Sequence, residues 1–143
     1  MADDTLIQAE ILTPEGKIFE GELFQVSART VVGEVGIRAR HAPMLARLVP
    51  SELRLYEDQG SFNSGNSDTY VSAEGWLEVF ANKVTVLVEE AHTPDDLDAS
   101  ALRERIAECE QRVKDADEGT ATEETAKNDL ARAEAFLKAA EGE

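Results

Sequence analysis

The sequence predicts a β + α chain: an antiparallel β-sandwich or flattened barrel over residues 1–92, then an antiparallel two-helix hairpin over residues 93–143. Three observations carry this. About nine short β-prone runs follow closely with no helical pattern between them, which favours antiparallel pairing over a parallel sheet. Thr93-Pro94-Asp95-Asp96 then supplies a capping hydroxyl, a proline suited to a first helical turn and an early acid. Beyond it, apolar residues recur at spacings of three and four.

Taken in order, residues 6–12 read as a strand, closed by the turn chemistry of Thr13-Pro14-Glu15-Gly16. Residues 17–20 make a short second strand. Residues 22–28 alternate, and the β-branched stretch 30–37 carries two glycines; each is read as one strand. Residues 44–49, closed by Pro50, and 53–57 follow. Residues 59–68, Q-G-S-F-N-S-G-N-S-D, are too polar and too rich in Gly, Ser and Asn to hold a core, and are expected to be a flexible hairpin tip. Residues 69–73, 76–81 and 83–89 complete the strands. The first helix places Leu97, Leu102, Ile106, Cys109, Val113 and Ala116 on one narrow stripe and is expected to end at Gly119. The second, residues 122–140, has Ala126, Leu130, Ala133, Leu137 and Ala140 on one side with Phe136 beside them. Stripes this thin and alanine-rich give little cohesion, so the hairpin must rest on the sandwich or on another protein. A few kcal/mol from a partner is then enough to move it.

Composition excludes several function classes. The chain has 143 residues, 42% of them apolar, and no apolar run long enough to span a bilayer. Its net charge of −16 argues against nucleic acid and anionic lipid, both of which need clustered Lys and Arg. Residues 1–93 and 94–143 each hold 15 acids against 7 bases, so the shorter tail is the more densely negative. With only five lysines among the 14 basic residues, the acid excess suggests a chain suited to high salt. Met1-Ala2-Asp3-Asp4-Thr5 has neither the basic start nor the apolar middle of a secretory leader, and a cytoplasmic-type compartment is expected. One cysteine, Cys109, excludes an internal disulfide.

Catalytic chemistry has little to work with. His41 and His92 are the only histidines, and Cys109 on a helical apolar face acts as a small hydrophobe. No nucleophile elbow or phosphate-cradling glycine loop occurs. Asp95, Asp96 and Asp98 lack calcium-loop spacing and read as first-turn acids. No catalytic residue, cofactor or metal ligand is therefore expected. The most distinctive stretch is G-E-V-G-I-R-A-R-H-A-P-M-L, residues 33–45. Gly33 and Gly36 permit tight geometry and Pro43 keeps Ala42 extended, so Arg38, Arg40 and His41 should sit on an exposed loop held by strands. Composition alone leaves open a recognition surface or a solvated turn. Trp76, after Gly75, fits a subunit contact or an ordinary core position.

G-E-V-G-I followed after three residues by H-A-P-M-L resembles the signature of the epsilon subunit of the rotary proton-translocating ATP synthase. T-P-E-G-K-I-F-E-G, W-L-E-V and K-V-T-V-L-V-E-E fall in that family's order, and a charged, Ala-rich helical tail completes the match. The resemblance implies a rotor-stalk subunit with no bond-making chemistry of its own. It would couple a proton-driven ring to ATP synthesis, peripheral to the cytoplasmic face of a bacterial plasma membrane and held there only through the complex. Its partners would be the gamma subunit and the membrane ring, with the alpha and beta subunits reached by the helices. Glu34, Val35, Gly36, Ile37, Arg38, Arg40, His41, Ala42 and Pro43 would form the interface, joined by Trp76. Where the family usually has Pro-Gly before the histidine, this chain has Ala39-Arg40. Some members bind ATP through an aliphatic-Asp pair followed by an arginine; the matching positions are Leu97, Asp98 and Ala101, the alanine standing where the arginine belongs. Loss of that charged fork implies no tight ATP site, and low-micromolar binding to the isolated chain by calorimetry would overturn this. Lys127, Arg132 and Lys138 are outnumbered by acids in the second helix, which implies weak, salt-sensitive inhibition of hydrolysis by the tail. A rival reading is a free-standing β-sandwich binding module with a helical dimerisation tail; an enzyme would need acids converging with a histidine in a pocket.

Overall fold

The computed structural model describes residues 4–142, so the compartment reading drawn from Met1 to Thr5 falls largely outside the described residues. The strands are β1 (Ile7–Thr13), β2 (Gly16–Leu23), β3 (Gln25–Thr30), β4 (Gly33–Ile37), β5 (Met44–Leu48), β6 (Ser51–Tyr56), β7 (Asp68–Ser72), β8 (Gly75–Phe80), β9 (Lys83–Val88) and β10 (Ala91–His92). They form one continuous sheet in the order β10-β7-β6-β3-β5-β8-β9-β1-β2, with β4 beside β3. The sheet closes over a core that includes Ile7, Ile11, Leu23, Ile37, Leu53, Leu55, Leu77 and Val84. Strict alternation directs the packing: Leu77 and Val79 of β8, and Val84, Val86 and Val88 of β9, point inward between exposed neighbours. The pairs are antiparallel except for β1 and β9, which run parallel from Gln8↔Lys83 to Leu12↔Leu87.

Three strand-region expectations need correction. Residues 22–28 divide, because the chain leaves β2 at Leu23 and joins β3 at Gln25. Leu23, Gln25 and Val26 are all buried, which breaks the alternation of a single strand. Residues 30–37 also divide, into a hairpin turning at Val31-Val32. Gly33 takes φ 128°, while the Thr30 hydroxyl donates to Gly33 O at 2.8 Å and accepts from the Val32 N–H at 3.2 Å. Residues 59–68 are not a flexible tip throughout: Gln59–Ser64 forms a short helix, α1. Asp58 caps it by accepting from Ser61 N at 2.7 Å, and Gly65 ends it at φ 75°.

The helical tail differs from expectation at its start and at its first end. Pro94–Asp96 makes only a 3-10 turn, since the Thr93 hydroxyl donates to the Asp96 carboxylate at 2.9 Å instead of capping an amide. The long helix α2 (Ala99–Asp115) begins after Asp98, whose carboxylate accepts from Ser100 N and Ala101 N at 3.0 and 3.3 Å. It stops at Asp115, with Ala116 already extended, well before Gly119. Helix α3 (Ala121–Ala140) is capped by Thr120, which accepts from Glu123 N at 3.2 Å. Arg112 Nη2 donates to Asp129 Oδ2 at 2.9 Å and clips the two helices together. The hairpin rests on the sandwich through a second core made of Val71, Ala73, Leu102, Phe136 and Ala139.

Candidate functional site

The segment from Arg38 to Pro43 leaves β4 and enters β5 as an exposed loop. Its shape is fixed from outside. Arg40 N donates to Asn82 Oδ1 at 2.7 Å, and Asn82 Nδ2 donates to Leu6 O at 3.2 Å, tying the loop to the β8–β9 turn and to the start of β1. Arg40 sits at φ 62°, so a glycine-like conformation survives where the resembled family carries glycine. His41 N donates to Arg38 O at 3.2 Å. His41 Nδ1 lies 2.7 Å from Ala42 O, an acceptor only, and therefore carries the proton.

The residues singled out from sequence separate into distinct places. Arg38, Arg40, His41, Ala42 and Pro43 come together in the loop. Glu34 stands at the far end of β4, 3.8 Å from Arg29 in an exposed ion pair. Ile37 is fully buried in the sandwich core, and Val35 is half-buried against that core. Gly36 matters for space: a Cβ there would lie 2.8 Å from Gln25 Nε2.

Trp76 is 45% exposed, which excludes the ordinary core position. Pairing of Arg47↔Trp76↔Leu87 and Leu45↔Glu78 puts these residues on the outward face of β5, β8 and β9. Phe80 shares that face at the end of β8. Leu45 is 67% and Phe80 64% exposed, so an apolar stripe runs from the Asn82 end, beside the loop, along the face to Trp76 and Leu87. The Arg47 guanidinium lies 5.7 Å from the Trp76 ring. A groove of about 790 Å³ at the stripe's far end is walled by Leu12, Pro14, Arg47, Trp76, Leu87 and Arg132. Sequence reasoning found only the tryptophan. The signal for Phe80 was W-L-E-V-F, where apolar residues occupy both phases of a strand and cannot all face one core.

A charged junction holds hairpin to sandwich. Arg132 of α3, 15% exposed, bonds Glu74 in the β7–β8 turn, and its Nη1 lies 3.6 Å from Glu90. Glu90 also lies 3.5 Å from Arg105 of α2 and 2.8 Å from His92 Nε2. Burial works against charging Glu90, but the His92 hydrogen bond and the two arginines outweigh it and hold its carboxyl below the usual 4.5. Ser72 Oγ, Glu74 Oε2 and Arg132 Nε are buried there without partners among the described residues, each unmade bond costing about 1–3 kcal/mol.

Asp98 is engaged as the α2 cap and Ala101 is exposed beside it. Cys109 is buried between the helices as a free thiol. Among the described residues, no three His, Cys, Asp or Glu side chains are grouped to hold a metal ion, and no helix is long and apolar enough to cross a membrane.

These features belong to a recognised class. Residues 6–94 match the family described as ATP synthase, Delta/Epsilon chain, beta-sandwich domain. The ATP synthase epsilon chain of Herpetosiphon aurantiacus is 37% identical over 134 residues, 94% of this chain and 88% of that protein. That of Nitrosococcus oceani is 35% identical over 133 residues, 93% and 91% of the two chains. The chain belongs to the ATP synthase epsilon chain family. The fold is shared with a chain of the Euglena gracilis mitochondrial ATP synthase, TM-score 0.76 at 21% identity, covering 97% of this chain and 84% of that one. It is shared too with a chain of the Tetrahymena thermophila mitochondrial central stalk and ring, TM-score 0.56 at 18% identity, covering 93% and 95%.

Proposed function

We propose that this chain is a non-catalytic rotor-stalk subunit whose sandwich joins the gamma subunit to the membrane ring of a proton-driven ATP synthase, on the cytoplasmic face of the membrane. The observation that carries the reading is the apolar stripe of Leu45, Phe80, Trp76 and Leu87, which no element among the described residues covers. Large exposed apolar side chains gathered on one sheet face, here interspersed with Glu78 and Arg47, mark a protein contact. We assign this stripe to the gamma subunit and the adjoining loop, Arg38 to Pro43, to the polar loops of the ring. The two surfaces meet at the Asn82 end, so one rigid body spans both partners. The division near residue 92 separates this coupling body from a helical hairpin that braces or regulates the assembly.

The test is co-purification with gamma. Trp76→Glu should weaken gamma binding about 30-fold, the effect of losing one well-packed aromatic anchor, while leaving the melting temperature nearly unchanged because the ring is half exposed. Unchanged binding of Trp76→Glu, or a wild-type chain that gamma does not retain, would contradict the assignment.

A further inference from the structure

Helix α1 has no evident packing purpose of its own, because none of its residues is buried. Its single aromatic, Phe62, instead stands over the candidate interface loop. The Arg38 guanidinium carbon lies 4.7 Å from the Phe62 ring centroid and 4.7 Å from that of Phe24. Phe62 is itself set by an edge contact with Tyr56 at 5.3 Å and a tilted one with Phe24 at 5.8 Å. A third constraint comes from below: Arg38 Nε donates to Gln25 Oε1 at 2.7 Å, while Gln25 Nε2 donates to Ser27 Oγ at 2.7 Å. Gln25 is only 8% exposed, and it fits there because Gly36 has no side chain to collide with it. Two rings and one amide thus fix both the place and the orientation of a planar cation.

Among the described residues the terminal nitrogens have no acceptor. Among the described residues Arg38 makes no ion pair, in a chain where acids outnumber bases by 16 and most of the basic side chains have found one. A guanidinium placed by these contacts, with its terminal nitrogens unpaired among the described residues, offers the two donors that match the two oxygens of a carboxylate. A lysine could supply the charge but would not present the fork.

We propose that α1 is a positioning element, which with Phe24 and Gln25 fixes Arg38 as a fork for a carboxylate on the ring's polar loops. This rests on the loop reading above. The experiment measures ring retention by the gamma–epsilon pair for the wild-type chain and for Arg38→Gln, Arg38→Lys, Phe62→Ala and the Arg38→Gln/Phe62→Ala double variant. Arg38→Lys should weaken retention about tenfold, nearly as much as Arg38→Gln. Phe62→Ala should do the same, and the double variant should be no weaker than Arg38→Gln, because the two residues act as one unit. If Arg38→Lys binds like wild type while Arg38→Gln is weakened, charge alone suffices; the positioning role fails and the loop reading stands. If Arg38→Gln retains the ring as well as wild type does, the fork is refuted. If the wild-type pair retains no more ring than gamma alone, the loop reading itself is refuted. Arg38→Lys alters only an exposed side chain, so this arm decides the matter even if Phe62→Ala fails to fold.

Discussion

Phe136→Ala releases the helical hairpin while leaving the sandwich folded. Phe136 is fully buried at the centre of the second core, against Val71 and Ala73 of the sandwich and Leu102 and Ala139 of the hairpin. His92 meets its ring edge at 5.5 Å, and the Arg105 guanidinium lies 5.8 Å from its centroid. Truncating a fully buried phenylalanine costs about 3–5 kcal/mol. The remaining apolar contacts across the junction come from Leu102, Ala139 and half-buried Leu97, Leu137 and Ala140, which cannot make up that loss. The sandwich core is a separate cluster that contains none of these residues. Hydrogen exchange should therefore show lost protection over residues 99–140 with protection kept in β1, β8 and β9. A single cooperative loss in both regions would mean that hairpin and sandwich fold as one unit.

Arg132→Met acts on the same junction through charge. Removing the cation leaves Glu74 and Glu90 close to α3 without the arginine that joins them. Breaking a buried pair costs about 3–5 kcal/mol, and because the two glutamates keep roughly a third of their surface in water we expect about 2 kcal/mol. The junction should also weaken in acid. Glu90 faces His92, Arg105 and Arg132, and its carboxyl is held below its ordinary value of 4.5 in the folded chain despite desolvation. A carboxyl lowered by folding stabilises fully above its unfolded value and loses that contribution as pH falls through the lowered one. Hairpin protection should accordingly decline as pH falls below about 4.5. The decline should be smaller in Arg132→Met, where one of the groups depressing Glu90 is gone and less of the junction's stability depends on its charge. A hairpin equally protected across that range would show that apolar contact alone docks it.

The strands and the loop were legible because their causes are local. Alternation marks β8 and β9, and Gly33 with Pro43 brackets the turn-out. The start of the first long helix differs because two candidate caps compete, and Asp98 satisfies two amides where Thr93 satisfies none. Helix α1 was invisible for a related reason: Phe62 is the only large apolar residue in its window, and what orders it lies on Phe24, Tyr56 and Arg38, distant in sequence. The Arg132–Glu74 contact joins residues 58 apart, and no periodicity reports such a pair. Arg40 at positive φ was unreadable because an arginine gives no hint of a conformation that Asn82 stabilises from the far side of the loop. Local chemistry therefore predicted the body, while the surfaces proposed to face partners depended on long-range placement.

The central claim is that one rigid sandwich grips gamma along its apolar stripe and the ring at its loop, so that rotation passes between them. ATP-driven proton pumping by the reconstituted synthase tests this most directly. A complex assembled without the chain should hydrolyse ATP with little pumping, adding the wild-type chain should restore pumping, and the Trp76→Glu chain should not. Pumping as strong without the chain as with it would contradict the account.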